Sequence, residues 1–193
     1  MSVIDSLPPR RTYQRACRFG GGILEPIAVI GIKPVDPAGE HCLMRNTRRM
    51  IRPYADEDLE EVLDVWYLAS LEAHSFLDEG FFATERRALA ERYLPASETH
   101  VYEADGRVVG SVSMLGNEVG GLFVTPEFQG RGIGRALLDH VAAPRPWLEL
   151  DVFEDNAIGR RFYDTYGFRT IGRHMNEEAG FPELRLRIDL PDR

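Results

Sequence analysis

The chain has 193 residues and a formal net charge of −8, and hydrophobic residues make up 44% of it. This length favours one core-forming domain over two, and the composition is typical of a globular protein in water. The longest apolar stretch, over residues 27–32, is too short to span a membrane. We therefore expect a cytoplasmic protein without a membrane partner.

The charge is unevenly distributed along the chain. Residues 1–49 carry a net charge of +4, which leaves −12 on the rest. An acidic domain disfavours nonspecific binding of nucleic acid and is compatible with a cationic amine substrate, although a solvated acidic surface is the commoner reason for such a charge. Both cysteines, Cys17 and Cys42, lie in the basic segment, and no metal-ligand spacing occurs. We therefore predict neither a thiol nucleophile in the acidic part nor a metal site.

The basic segment also lacks regular patterning. Ten of residues 1–49 are Gly or Pro, and no helical or alternating period persists. We expect a poorly ordered extension in front of a domain over residues 50–193. A second hypothesis is that translation starts at Met50 or Met44 and that the preceding residues are not made. Few aromatic residues interleave with the basic ones, which disfavours nucleic-acid binding by this extension.

Regular patterning begins at residue 50, and hydrophobic period and turn signals together predict the elements. The first half consists of an edge strand over 50–53, a helix from Asp56, a loop over 72–78 and a helix over 81–93 with Phe82, Leu89 and Tyr93 inward. Strands follow over 100–104, 107–115 and 118–124, the last with a bulge at Gly120-Gly121. The remaining elements are a helix from residue 133, a strand over 148–153, a helix over 156–166, and strands over 168–175 and 184–189. This order predicts an α/β protein with a mixed, mostly antiparallel central sheet of six to seven strands flanked by four helices.

The turn between the strand over 118–124 and the next helix is the most informative segment. Pro126 ends the strand because proline cannot extend the ladder. A glycine-rich turn at a helix N-terminus exposes backbone N–H groups that bind anions, and neighbouring arginines add positive charge. The residues concerned are Gly130, Gly132, Gly134, Arg131 and Arg135. The features suit a pyrophosphate, and a purely structural turn is the alternative. The spacing excludes the nucleotide P-loop and the dinucleotide fingerprint.

Two motifs resemble a known family. Residues 129–134, Gln-Gly-Arg-Gly-Ile-Gly, resemble the Q/R-x-x-G-x-G/A signature of the GNAT superfamily of N-acyltransferases. Residues 156–168 resemble its N-x-x-A-x-x-F/L-Y-x-x-x-G-F segment, with Gly159 in place of the small alanine. The resemblance covers about three quarters of the chain and nothing before Met50. It implies an N-acetyltransferase that uses acetyl-CoA as co-substrate and moves the acetyl group to a primary amine by direct attack.

The resemblance also implies where acetyl-CoA binds. The strands over 118–124 and 148–153 are expected to splay apart, so that the pantetheine arm lies in the gap and the glycine turn holds the pyrophosphate. The candidate cofactor-binding residues are Leu122, Phe123, Val124, Gln129, Gly130, Arg131, Gly132, Ile133, Gly134, Arg135 and Asn156.

Three residues are candidates for the chemistry. Tyr163 matches the family's position for the general acid that protonates the leaving thiolate, and a packed helix tyrosine is the alternative. A phenol can donate at neutral pH because its reference pKa is about 10. Asp151 and Glu118 are the candidates for the base that takes the amine's proton. Both could instead be solvated acids, with the amine losing its proton unaided.

The acceptor is expected to contact the first two helices, their loop and the final hairpin. Candidates are Trp66, His74, Phe76 and His174, of which His74 with Phe76 ranks first because the pair combines a polar and an apolar group. Small-molecule and peptide amines both remain as acceptors, and a homodimer is left open. An alternative from another class is a catalytically idle acyl-CoA-binding or sensing module, which the presence of Tyr163 and its carboxylates disfavours.

Overall fold

The computed structural model describes residues 49–191, which contain seven strands and four α-helices of ten or more residues, besides a short helix over Leu94–Ala96. The predicted extension over residues 1–49 lies, up to residue 48, outside the described residues. The strands are β1 (Arg49–Pro53), β2 (Glu98–Ala104), β3 (Arg107–Leu115), β4 (Glu118–Val124), β5 (Trp147–Phe153), β6 (Arg169–Asn176) and β7 (Phe181–Asp189). The helices are α1 (Leu59–Ala73), α2 (Glu79–Ala88), α3 (Ile133–Ala142) and α4 (Ala157–Tyr166). The predicted fold class is confirmed.

Two sequence-based details in the first helical pair are wrong. The predicted loop is shorter, because α1 continues through Ala73. Tyr93 does not face inward: its side chain is 38% exposed. After α2 the chain changes to π-helical hydrogen bonding over Leu89–Tyr93. The wider turn rotates the following side chains away from the α-helical period on which the prediction was based.

The sheet is antiparallel except at its centre. Its strand order is β1-β2-β3-β4-β5-β7-β6. The parallel neighbours β4 and β5 pair only through Glu118 and Glu149, where the Glu149 N–H donates to the Asn117 carbonyl at 3.1 Å. Beyond that point the two strands no longer pair with each other. The predicted splay is therefore present, and its vertex lies at the start of β4.

A β-bulge in β4 shapes the wall of this opening. Ser113 pairs with Gly121 and Met114 with Val119, so Gly120 is the extra residue, in agreement with the predicted bulge. A Cβ at Gly121 would lie 2.6 Å from the ring of Phe123. The aromatic ring can lie against the strand there because residue 121 has no side chain.

Helices cover both faces of the sheet. Neighbouring residues of a strand point to opposite faces, and Val108 packs with α1 whereas Val109 packs with the cluster that contains α3 and α4. A Cβ at Gly110 would lie within 3.2 Å of side chains of Ile133 and Leu137, so the missing side chain permits the close approach of α3. Within residues 49–191, no helix is long and apolar enough to cross a membrane.

Candidate functional site

A cleft of about 600 Å³ opens where β4 and β5 separate. Its walls come from α1, α2, β4, β5, α4 and β7. Eleven of the residues predicted from the sequence line it: Trp66, His74, Leu122, Phe123, Val124, Gln129, Gly130, Gly134, Asp151, Asn156 and Tyr163. Seven predicted residues do not belong to its lining: Phe76, Glu118, Arg131, Gly132, Ile133, Arg135 and His174.

One end of the cleft is the N-terminus of α3. Gly130 and Gly132 have φ angles of 70° and 82°, a left-handed conformation that glycine adopts without strain. Gly132 is the N-cap, and the first helical hydrogen bond runs from the Ala136 N–H to the Gly132 carbonyl at 2.9 Å. The backbone amides of the first turn therefore have no intrahelical acceptor. Such a terminus can bind an anion.

Side chains around this terminus have separate roles. Gln129 donates to the Val124 carbonyl at 3.1 Å, which ties the turn to the end of β4. Ile133 is buried in the core, so it can offer a ligand only its backbone amide. Arg131 lies over the ring of Phe128 at 4.9 Å, and Arg135 lies 3.9 Å from Asp139. Both arginines are exposed beside the terminus and add to its positive potential.

Asn156 connects the N-terminus of α4 to the end of α1 across the cleft. Its Oδ1 accepts from the Gly159 N–H at 2.7 Å, which fixes the orientation of the amide. Its Nδ2 therefore donates to Nε2 of His74 at 3.0 Å, and the ring proton of His74 is on Nδ1. Burial lowers the pKa of His74 to about 4, so the imidazole is neutral at pH 7. A Cβ at Gly159 would lie 2.9 Å from Asn156 Nδ2, so glycine leaves room for the cap.

An aromatic cluster packs against the ring of His74. Its ring contacts Phe76 and Phe153 edge to face, with centroids 5.9 and 5.3 Å apart, and Phe76 contacts Phe181 at 4.9 Å. Phe76 is thus beside His74 but lines a neighbouring groove and not the cleft. Trp66 is 7% exposed and lines the cleft from α1.

Tyr163 is buried in α4, at the cleft wall. It is 9% exposed and packs edge to face against Phe162 and Phe168, with centroids 5.2 and 5.5 Å away. Burial raises the pKa of Tyr163 above its ordinary value, so the phenol is protonated at neutral pH. A protonated hydroxyl in a cleft wall can donate a hydrogen bond or a proton to a ligand.

Arg185 of β7 bridges the vertex of the splay. Its guanidinium lies 2.7 Å from Asp151, 2.9 Å from Glu118 and 2.9 Å from Glu149. Arg185, together with Arg187, lowers the pKa of Glu149. Both predicted bases are therefore ion-paired with the same arginine, a contact that sequence reasoning missed. One cation balances carboxylates from β4 and β5 at the point where those strands last pair.

The cleft lining is acidic. The charged side chains in its lining are all carboxylates, with no Lys or Arg among the lining residues in the described part of the chain. They are Glu85, Asp151, Glu178 and Glu183. Burial raises the pKa of Glu85 and of Glu183. His174 lies 3.3 Å from Glu183, outside the lining.

Two residues of the cleft, Glu183 and Ser70, were not predicted from the sequence because they lie outside both motifs. Glu183 shares a face of β7 with Phe181 and Arg185, and this alternation was its one sequence signal. The hydroxyl of Ser70 in α1 is buried in the cleft wall and has no hydrogen-bond partner within residues 49–191. No sequence signal marks Ser70, the one serine of α1, as a cleft residue.

The fold and the cleft define a class of acyltransferase with a splayed central sheet, and comparisons with known proteins give the family. The model of the acetyltransferase (GNAT) domain matches residues 95–170. The peptidyl-lysine N-acetyltransferase YjaB of Escherichia coli (strain K12) is 31% identical over 140 residues, which cover 72% of this chain and 94% of the relative. The peptidyl-lysine N-acetyltransferase YiaC of the same strain is 29% identical over 134 residues, 69% of this chain and 92% of the relative. The chain belongs to the GNAT acetyltransferases.

Solved structures agree with this assignment. The solution structure of apo-form YjaB from Escherichia coli superposes with a TM-score of 0.65 at 27% identity, covering 72% of this chain and 97% of that chain. The PaiA N-acetyltransferase from Thermoplasma acidophilum in complex with coenzyme A has a TM-score of 0.61 at 18% identity, over 74% of this chain and 99% of that chain. At 18% identity, the similarity to the Thermoplasma acidophilum protein shows the fold alone.

Proposed function

We propose that the protein is an acetyl-CoA-dependent N-acetyltransferase that acetylates the side-chain amine of lysine in a peptide or protein. The observation that carries the proposal is the cleft itself, whose lining includes Gly130 and Gly134 at the N-terminus of α3 and carboxylates without Lys or Arg among the described residues. A polyanionic donor suits the helix N-terminus, which we assign as the donor end, and a cationic acceptor suits the carboxylates, which we assign as the acceptor end. YjaB and YiaC, the relatives above, are named peptidyl-lysine N-acetyltransferases.

The donor end has the groups that acetyl-CoA requires. The free amides of Ile133, Gly134 and Arg135 would bind the pyrophosphate, with Arg131 adding positive charge. The edge of β4 that faces β5 pairs with it only at Glu118, so the backbone near Val124 can receive the pantetheine arm as an added strand. Asn156 has one Nδ2 hydrogen beyond the His74 bond, which it can donate to this arm. Bound there, acetyl-CoA would supply the activated acetyl group.

The acceptor end has the groups that a lysine side chain requires. Carboxylates attract its ammonium group, and aromatic side chains such as Trp66 and Phe81 can contact its methylene stem. The neutral His74 adds no positive charge that would repel the ammonium. Phe76 and His174, which lie behind the wall, would act by supporting His74 and Glu183.

The proposed chemistry assigns proton transfer to residues of the cleft. Tyr163 would act as general acid toward the leaving thiolate, because its phenol is protonated and it lines the cleft. Asp151 and Glu118 are the sequence-based candidates for the base. Both contact the guanidinium of Arg185, Asp151 at 2.7 Å and Glu118 at 2.9 Å.

Isothermal titration of acetyl-CoA into the full-length protein, followed by release of free thiol with a lysine-containing peptide, tests the proposal. The chain contains one lysine, Lys33, so self-acetylation at lysine can be monitored at a single site. We expect saturable binding and thiol release that depends on the peptide, and Tyr163→Phe should lower kcat by about 100-fold while binding is retained. Binding without turnover on any amine would support an idle acyl-CoA-binding module, and absence of binding would refute the proposal.

A further inference from the structure

Arg185 forms ion pairs with the two carboxylates that were predicted from the sequence as candidate bases. Its guanidinium contacts Asp151 at 2.7 Å and Glu118 at 2.9 Å. Oδ2 of Asp151 and both carboxylate oxygens of Glu118 accept hydrogen bonds from it, whereas Oδ1 of Asp151 is buried without a hydrogen-bond partner in the described part of the chain. Glu118 is also outside the cleft lining. Among the carboxylates that line the cleft, Glu183 has no arginine partner in the described part of the chain, which makes it a further candidate for the base.

Glu183 has the environment of a proton acceptor. Its side chain is 13% exposed and lines the cleft from β7. Its partners in the described part of the chain are the amide of Asn176, which donates at 3.2 Å, and the ring of His174 at 3.3 Å. No Lys or Arg pairs with it there. Burial, with a smaller effect from the charge of Asp151, raises the pKa of this carboxyl, which makes the carboxylate a stronger base than an exposed glutamate.

We infer that Glu183 receives the acceptor ammonium and takes the proton that the amine must lose before it attacks. The inference rests on the proposed lysine N-acetyltransferase function. The Glu183 carboxylate becomes a carboxylic acid, and the neutral amine forms a C–N bond with the acetyl carbon as the C–S bond breaks. The sulfur takes a proton from Tyr163, whose phenolate recovers it from the new amide nitrogen. Glu183 then releases its proton to water, so one amide, one thiol and one H⁺ are formed.

Other ionisable groups lie near Glu183 or line the cleft, and they also affect the pH dependence of the proposed reaction. Asp151 on β5 and His174 on β6 lie on either side of Glu183, and Arg185 is two residues further along β7. Glu85 of α2, Glu178 of the β6–β7 turn and His74 at the end of α1 complete the set. A test must therefore separate proton acceptance by Glu183 from a general effect of charge.

The test compares Glu183→Gln with the wild-type protein over a range of pH, using acetyl-CoA and a lysine peptide. Glutamine can still accept the Asn176 hydrogen bond, so the β6–β7 pair should be preserved. We expect kcat to fall about 100-fold near pH 7, the loss typical of removing a general base. The deficit should shrink as the pH rises toward about 10.4, the reference pKa of lysine, because the free amine then forms unaided. Acetyl-CoA binding should be unchanged.

Glu177→Gln is the matched control, because Glu177 is an exposed residue of the turn between β6 and β7, lies outside the cleft lining, and its substitution removes the same charge. We expect it to retain wild-type kcat and KM. A Glu183→Gln variant with wild-type kcat would overturn the inference, and so would a deficit of equal size at every pH, which indicates a purely structural or binding role. If the wild-type protein itself released no thiol with any lysine peptide, the proposed function would fail, and the inference with it.

Discussion

Nδ2 of Asn156 donates a hydrogen bond to Nε2 of His74 at 3.0 Å, although the two residues are 82 positions apart. The bond joins the N-cap of α4 to the residue that ends α1, and both side chains line the cleft. Asn156 thus stabilises a helix terminus and orients a neutral imidazole with one amide group. The Asn156–His74 pair couples the predicted donor-binding region to the predicted acceptor-binding region.

The protonation of His74 should make stability depend on pH. Burial lowers the pKa of His74 from 6.5 to about 4 in the folded protein. The unfolded chain therefore binds a proton more readily, and this contribution to stability is complete above pH 6.5 and is lost as the pH falls toward 4. We expect His74→Gln to remove up to about 3 kcal/mol of the acid-induced loss between those limits. Denaturant unfolding at several pH values measures the unfolding free energy of both proteins. The same pH dependence in the wild-type protein and in His74→Gln would contradict the prediction.

Alanine at position 159 should weaken α4 in spite of its better helix propensity. The added Cβ would lie 2.9 Å from Nδ2 of Asn156, which forces the capping side chain to move. Loss of a cap lowers stability by about 1 kcal/mol, which offsets the gain of similar size from replacing glycine in a helix. We expect Gly159→Ala to bring no net gain in unfolding free energy and to lower acetyl-CoA affinity.

The exposed Asp164 on the same helix provides the control for that substitution. Asp164→Ala changes a residue of the same helix that does not line the cleft, so this variant should keep wild-type affinity for acetyl-CoA. An increase of about 1 kcal/mol in the stability of Gly159→Ala, with unchanged affinity, would show that Asn156 adapts without consequence.

Removing the Arg185 guanidinium should destabilise the vertex of the splay. Arg185→Met leaves the carboxylates of Glu118, Glu149 and Asp151 without their shared cation. We expect the unfolding free energy to fall by about 2 kcal/mol, because the group is partly exposed and breaking a fully buried pair would have a larger effect. The loss should be greater at low ionic strength, where repulsion between the carboxylates is less screened. Urea titrations at two salt concentrations measure both effects, and a salt-independent loss would indicate lost packing alone.

Replacing Ser70 with alanine should stabilise the ligand-free protein. The Ser70 hydroxyl is buried without a hydrogen-bond partner within residues 49–191, and it lies inside α1. Removing an unsatisfied polar group and introducing the best helix former should together raise the unfolding free energy by about 1 kcal/mol. Ala69→Ser, the reverse change at the adjacent buried position, should have the opposite sign. A loss of stability in Ser70→Ala would mean that the hydroxyl is satisfied by water.

Much of the fold could be predicted because its signals are local. The ranges of β3 and β4 were predicted to the residue, since Asp105-Gly106 and Gly116-Asn117 are turn sequences that bound β3. The end of α4 followed from Gly167, which adopts a φ of 118° that other residues avoid. The change to π-helical geometry before Tyr93 was not predictable, because it arises from hydrogen bonding that hydrophobic periodicity does not register.

The sequence by itself determined the strand, glycine turn and helix of the donor end, since this motif is contiguous and its chemistry belongs to the backbone. Only the tertiary structure decided which charges meet at the acceptor end. Arg185 reaches Asp151 across 34 residues and Glu118 across 67, and pairing at such separations depends on strand order and register. The same register brings Glu183 to the cleft without an arginine partner in the described chain. Side-chain ionisation depends on these neighbours and on burial, which exist only in the folded chain.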